Sequence, residues 1–289
     1  MMDGCRTEAC TYRLENADLS AFRRYLELQE KSTHTMTKYL RDVAGFIGFL
    51  PDGRSVTKAL VIRYKEALRA KYAIRSVNSM LASLNAFFAF LGWHDCRVRT
   101  LRLQREVYCP AQRELSREEY GRLVRTAQRR GDERLSLILQ TICGTGIRIS
   151  ELAYITAEAV RQGEAEVRCK NKTRTVFIVR ALQQKLLTYI KMQGIQSGSV
   201  FVNAQGRPMS RTTVWREMKS LCRQAQVDSR KVFPHNLRHL FARVFYNMEK
   251  DIAKLADILG HASIDTTRLY IISTGSEHRR RMEKMRLVL

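Results

Sequence analysis

A helical period runs through almost the whole chain and is broken at one place by two alternating segments. That contrast restricts the fold to a mainly α architecture with a small β-hairpin. Between about Ala17 and Trp93, apolar residues recur three and four apart. One series is Met36, Tyr39, Leu40, Val43, Phe46, Ile47 and Leu50, and a second is Val77, Met80, Leu81, Leu84, Phe87, Phe88 and Leu91. Each series forms one apolar stripe along a helix, and such a stripe leaves water only by packing on other helices. Turn signals at Lys31 to Thr35, at Pro51-Asp52-Gly53 and at Ala73 to Arg75 divide the stretch into about four helices with short connections.

The periodicity fades between Asp95 and Arg113, a stretch carrying Arg97, Arg99, Arg102, Arg105 and Pro110. Ser116 and Glu119 then have the spacing of a capping box that opens the next helix. The expected organisation is a helical bundle over 10–105, a linker over 106–114 and an α+β domain over 115–289. The second domain reads as helical to Ile142 and alternates from Glu164 to Val179, a hairpin pattern turning within Cys169 to Arg174. Helical spacing returns over Ala181–Met192, Thr212–Ala225, Asn236–Met248 and Ile252–Leu259, and again close to Leu289.

Charge narrows the partners. The 289 residues carry 51 Lys and Arg against 28 Asp and Glu, a net +23. The excess is present in both halves, with 18 basic against 11 acidic residues over 1–112 and 33 against 17 over 113–289. Neutralising phosphates with such side chains releases condensed counterions, so a nucleic acid gripped from two sides is the leading expectation. A hydrophobic content of 45% argues against disorder. No apolar run reaches the roughly 18 residues of a membrane span, and no apolar stretch follows the first charges, so no membrane partner and a cytoplasmic, nucleoid-associated place are expected. Seven scattered cysteines without a C-x-x-C pair point to reduced thiols rather than a zinc site or a disulfide framework.

Three short segments can carry chemistry. Gly144-Thr145-Gly146-Ile147-Arg148 continues to Glu151, which would share a helix face with Arg148. Taken alone it is a helix-start turn with a surface ion pair. No strand feeds it and no third glycine follows, so it is not a nucleotide loop. Pro234-His235-Asn236-Leu237-Arg238-His239 aims His235 and Arg238 at one point. The two histidines have no further ligand at metal spacing, and an adjacent arginine repels a cation. Leu259-Gly260-His261 is followed nine residues later by Tyr270, which in isolation reads as a core tyrosine.

Taken together and in this order, Gly-x-Gly-x-Arg-x-x-Glu-Leu, His-x-Leu-Arg-His and Leu-Gly-His with its later Tyr resemble the tyrosine recombinases, or lambda-integrase family, and in size its Xer-like members. The resemblance spans nearly the whole chain. It implies an N-terminal core-binding domain and a C-terminal catalytic domain that close as a C-shaped clamp on duplex DNA. The expected partner is DNA with paired inverted half-sites, bound by a homotetramer on two duplexes or by a heterotetramer with a related recombinase. No separate arm-binding domain is expected ahead of the first helices.

The resemblance also distributes roles. Tyr270 is the implied nucleophile, forming a 3′-phosphotyrosyl bond on the way to a Holliday junction, with neither metal nor ATP nor any other cofactor. Two guanidinium forks, Arg148 and Arg238, suit the non-bridging oxygens of the phosphate. His235 and His261 are assigned to the same phosphate or to the tyrosine proton, Glu151 to support, and His239 to a supporting position. The leaving oxygen takes its proton from a hairpin lysine. Relatives often read Gly-Lys-Gly-Asn-Lys there, whereas this chain has Cys169-Lys170-Asn171-Lys172, so Lys170 is preferred by alignment and Lys172 is the alternative. A final helix is expected to pack into a neighbouring protomer. Groove-facing side chains are expected near Arg75 to Asn78 and Arg211 to Arg216. The rival readings are a type IB topoisomerase-like or telomere-resolving enzyme, and a non-catalytic DNA-binding protein on the same scaffold.

Overall fold

The structure is a computed structural model in which residues 10–51, 54–103, 114–169, 172–261, 263–271 and 282–285 are described. The chain forms two compact units, Met1–Arg105 and Glu106–Leu289.

The first unit contains α1 (Asn16–Leu28), α2 (Thr33–Ile47), α3 (Lys58–Lys71) and α4 (Ile74–Phe90), with a minimal antiparallel ladder of β1 (Tyr12–Arg13) on β2 (Ser55–Val56). The apolar stripes seen in the sequence converge on a core of Phe22, Val43, Phe46, Leu81, Phe87 and Phe88. Some of its aromatic rings meet edge to face, as in Phe22 with Phe87 at 5.0 Å and Phe46 with Phe88 at 5.6 Å. Helix α2 starts where Ser32 accepts the Thr35 N–H, inside the expected turn. The β1–β2 ladder has no sequence signature, because two residues are too few to display a period.

The second unit contains α5 (Arg117–Arg129), α6 (Glu133–Thr145), α7 (Ala157–Gln162), β3 (Glu164–Cys169), β4 (Lys172–Phe177), α8 (Arg180–Met192), α9 (Arg211–Ala225), α10 (Pro234–Glu249), α11 (Ile252–Leu259) and α12 (Ile264–Ile271). The capping box forms as read: Glu119 N–H donates to Ser116 Oγ at 3.1 Å and Ser116 N–H to Glu119 Oε2 at 2.8 Å. Strands β3 and β4 pair antiparallel from Glu164 opposite Phe177 to Cys169 opposite Lys172. Three findings differ from the sequence reading, the first being the six-residue α7 at Ala157–Gln162, too short to display a helical period. Arg148 precedes a 3-10 turn, Ile149–Tyr154, rather than a full α-helix. Tyr270 lies on α12, a short helix that the sequence pattern did not reveal. Most of the expected final helix lies outside the described residues. Among the described residues no helix is long and apolar enough to cross a membrane.

Candidate active site

Two helix ends create the site. Helix α6 stops at Gly146 with φ +66° and α11 stops at Gly260 with φ +62°, left-handed conformations that a side chain resists. Neighbours enforce both glycines. A Cβ at Gly146 would lie 2.5 Å from Phe241 Cδ1, and one at Gly260 would lie 2.5 Å from Arg174 Cδ.

Arg238 joins these two ends. It projects from α10 and is 1% exposed. Its Nη1 donates to Gly146 O at 2.5 Å and its Nη2 to Leu259 O at 2.6 Å, so one guanidinium satisfies carbonyls at both helix C-termini, where partial negative charge gathers. Its Nε is buried without a hydrogen-bond partner. Burial, with the Arg148 charge added, pushes its pKa down to about 10, which leaves it charged at neutral pH.

Nη2 of Arg238 also lies 2.9 Å from His261 Nε2. A guanidinium only donates, so Nε2 must accept, and the proton sits on Nδ1, which faces Thr267 Oγ1 at 2.8 Å. His261 is therefore a neutral imidazole in this arrangement. Burial first, then Arg238 and Arg148, lower its pKa to about 4. The same causes lower His235. His239 falls to about 3 through burial and the neighbouring His235 charge.

The Tyr270 ring sits among these groups and is 6% exposed. His239 stacks on it at 4.1 Å between centroids and 11° between planes, His261 lies 4.8 Å away and His235 5.1 Å away. The Arg238 guanidinium carbon is 5.8 Å from the ring centroid.

Arg148 reaches this cluster from the 3-10 turn. Its Nη1 donates to Glu151 Oε1 at 2.8 Å, its backbone N–H to Glu151 Oε2 at 2.8 Å, and its Nη2 to Gly260 O at 3.2 Å. Glu151 is 2% exposed and also accepts from Arg174 Nη2 at 2.6 Å. Burial opposes its ionisation. The Arg148 N–H and guanidinium and the Arg174 charge overcome that cost and hold the carboxyl below its ordinary value. Arg174 further donates to Ile258 O and thereby ties β4 to the end of α11.

Of the residues singled out in the sequence, Arg148, Glu151, His235, Arg238, His239, His261 and Tyr270 meet in this cluster. Lys170 lies outside the described residues. Lys172 is the first residue of β4. Arg174 was missed, yet a signal existed: it falls in phase with the buried Val176 of its strand and Ile178 just beyond it, positions where a charge needs partners. A cavity of about 740 Å³ opens beside the cluster, bordered by Arg148, Ser150, Arg211, Trp215, His235 and Arg238.

Comparison with known proteins decides the family. The Phage integrase family model matches residues 113–277, and the Phage integrase N-terminal SAM-like domain model matches 19–95. The chain belongs to the phage integrase family. Among its relatives, tyrosine recombinase XerA of Pyrococcus furiosus is 32% identical over 285 residues, covering 95% of this chain and 96% of the relative. Tyrosine recombinase XerC of Lacticaseibacillus casei is 30% identical over 277 residues, covering 87% and 92%. The crystal structure of XerA recombinase aligns with a TM-score of 0.54 at 26% identity over 95% of this chain and 99% of that one. A lambda integrase dimer bound to a COC′ core site aligns at 0.72 and 15% identity over 91% and 77%, a likeness of fold. As an Xer-like member of the family, the chain is a tyrosine-type site-specific DNA recombinase.

Proposed function

We propose that Tyr270 is the nucleophile of this recombinase and that the groups around its ring form a phosphoryl-transfer site for DNA. The observation that carries this reading is the gathering of Arg148, His235, Arg238 and His261, from three separate segments, around one buried tyrosine.

In the transfer step Tyr270 Oη bonds to the scissile phosphorus and the bond from phosphorus to the 5′ oxygen breaks. Arg148 and Arg238 hold the non-bridging oxygens as negative charge builds. The tyrosine proton passes to a neutral imidazole. In the resting arrangement His261 Nε2 is occupied by Arg238. When that guanidinium turns to the phosphate, Nε2 becomes free to accept the proton. Lys170, or Lys172 in its place, supplies the proton to the departing 5′ oxygen. A 5′ hydroxyl from the partner strand then attacks the phosphotyrosine in reverse, so the bond energy is kept and the cycle balances without fuel.

Tyr270 is 6% exposed, so in this reading the nucleophile is sheltered at rest beside the open cavity, and α12 shifts to present it when DNA arrives. The assembly in this reading is a homotetramer, or a heterotetramer with a related recombinase, on two duplexes carrying paired inverted half-sites. It acts on DNA in the cytoplasm.

The test uses nicked suicide duplexes drawn from DNA flanking the gene, with wild type beside Tyr270→Phe on a denaturing gel. A covalent band in the wild type that Tyr270→Phe lacks is the expected result. Tight binding without any adduct would favour a non-catalytic DNA-binding protein. Repeating the assay with Lys170→Ala and Lys172→Ala on a duplex with sulfur at the 5′ bridging position separates the two lysines. A thiolate leaves without a proton, so the variant lacking the true acid regains cleavage.

A further inference from the structure

The backbone after the 3-10 turn His94–Cys96 is fastened to the first unit in an unusual way. It pairs with no strand. Two residues from α3 and two from α4, each pair seven positions apart and so on one helix face, take up its polar groups. Asn85 exchanges two hydrogen bonds with Val98, Nδ2 to the carbonyl at 2.8 Å and the Val98 N–H to Oδ1 at 2.9 Å. Asn78 does the same with Leu101, at 2.8 and 2.7 Å. From the other helix, Lys58 Nζ donates to the Asp95 carbonyl at 2.9 Å and to the Arg97 carbonyl, and Lys65 Nζ donates to the Arg99 carbonyl at 3.0 Å. Cys96 and Val98 face the core between these bonds. Asn78, expected from the sequence to face a DNA groove, is instead committed to this backbone.

The clasp fixes what the segment displays. With Cys96 and Val98 inward, Arg97 and Arg99 point outward together, and Arg102 is exposed just beyond the second asparagine bracket. Among the described residues none of the three has a carboxylate partner. The acid nearest Arg97 and Arg99 in sequence, Asp95, accepts from Tyr12 Oη at 2.7 Å. Here the backbone is held by four side chains while the guanidinium groups it presents are left open.

We propose that residues 97–102 form a preformed rail for the phosphates of one DNA strand, with Arg97, Arg99 and Arg102 as contacts and Lys58, Lys65, Asn78 and Asn85 as the groups that hold it in place. An extended chain advances about 6.7 Å in two residues, which lets Arg97 and Arg99 reach successive phosphates rather than compete for one. Fixing the backbone in advance removes an ordering cost from binding. The contact carries no base information, so it raises affinity for every sequence alike.

This inference rests on the DNA-binding reading above, and one experiment separates the two. The full-length protein is titrated into an end-labelled, mixed-sequence duplex across a salt series, and anisotropy reports binding. The triple variant Arg97→Gln, Arg99→Gln, Arg102→Gln is compared with a charge-matched control, Arg24→Gln, Lys31→Gln, Lys71→Gln. The rail variant should lose at least about ten-fold in affinity, and its slope of log K against log salt should flatten by about 2 to 3, with the melting temperature unchanged because the side chains are exposed. The control should flatten much less. Wild type without salt-dependent binding would remove the DNA reading itself. Wild-type binding with an unchanged slope in the rail variant, or an equal loss in the control, would overturn the rail alone.

Discussion

The arginines of the two units are used in opposite ways. In the second unit Arg174 and Arg238 are withdrawn from water and committed to carbonyls and to Glu151. In the first unit Arg97, Arg99 and Arg102 are exposed, with no ionic partner among the described residues, on a backbone that other side chains hold. A buried guanidinium meets little screening, so it can oppose charge that appears only as a bond breaks. An exposed one is hydrated and screened, and its worth lies in capturing a polyanion. In the proposed mechanism, positive charge therefore serves rate in one unit and affinity in the other, and substitutions can separate them.

The largest effect is expected from Arg238→Lys. The charge remains, but a single ammonium cannot reproduce a planar fork that bonds Gly146 O, Leu259 O and His261 Nε2 together. Single-turnover adduct formation on a suicide duplex should fall by roughly 10²–10³, while equilibrium affinity for the same duplex changes little. Were affinity to fall as far as rate, the division of labour would fail, because Arg238 would then be holding DNA in its ground state.

Next comes Glu151→Gln, which leaves Arg148 and Arg174 facing each other across a neutral amide. Removing the charge from a buried pair costs about 3 kcal/mol, readable as a lower urea midpoint at neutral pH. The pH dependence identifies the cause. The folded carboxyl titrates below its ordinary value of 4.5, so its contribution is present above that value and is lost as pH falls through the depressed one. His261 and His239, lowered to about 4 and 3, also cost stability as pH falls below 6.5, because the unfolded imidazoles bind protons first. That loss is common to both proteins. The difference between the wild-type and Glu151→Gln stability curves should therefore be constant at neutral pH and shrink only in the acid range. A difference that shrinks between pH 7 and 5 would assign the effect to the histidines.

These effects show what the sequence could and could not convey. Periodicity yielded the longer helices of both units, because each buries one stripe, but not the six-residue α7, and it yielded the hairpin, because only there does the period become two. Motif order yielded the residues around Tyr270. It did not yield α12, whose eight residues present a weak apolar face, nor the reason for the glycines, which lies in Phe241 and Arg174 arriving from other elements. The clasp was equally hidden. Lys58, Lys65, Asn78 and Asn85 look like surface residues of amphipathic helices until the segment they hold is in place. Hydrogen bonds between side chains and distant backbone leave no period, so a charged fade in the pattern read as linker conceals a fixed surface.

The smallest effect sharpens the comparison most. Lys65 donates to the Arg99 carbonyl at 3.0 Å from a partly exposed position, and such a bond is worth about 0.5–1.5 kcal/mol. Lys65→Met keeps most of the aliphatic stem and frees that carbonyl, so the rail loosens while all three arginines remain. Affinity for the labelled duplex should fall by about two- to ten-fold, with the salt slope unchanged, because no phosphate contact has been deleted. Arg99→Gln should instead flatten the slope by about 1. The pair of slopes tells a residue that holds the backbone from one that touches DNA. If Lys65→Met flattens the slope as much as Arg99→Gln does, the lysine meets phosphate directly, and its bond to the Arg99 carbonyl is exchanged when DNA binds.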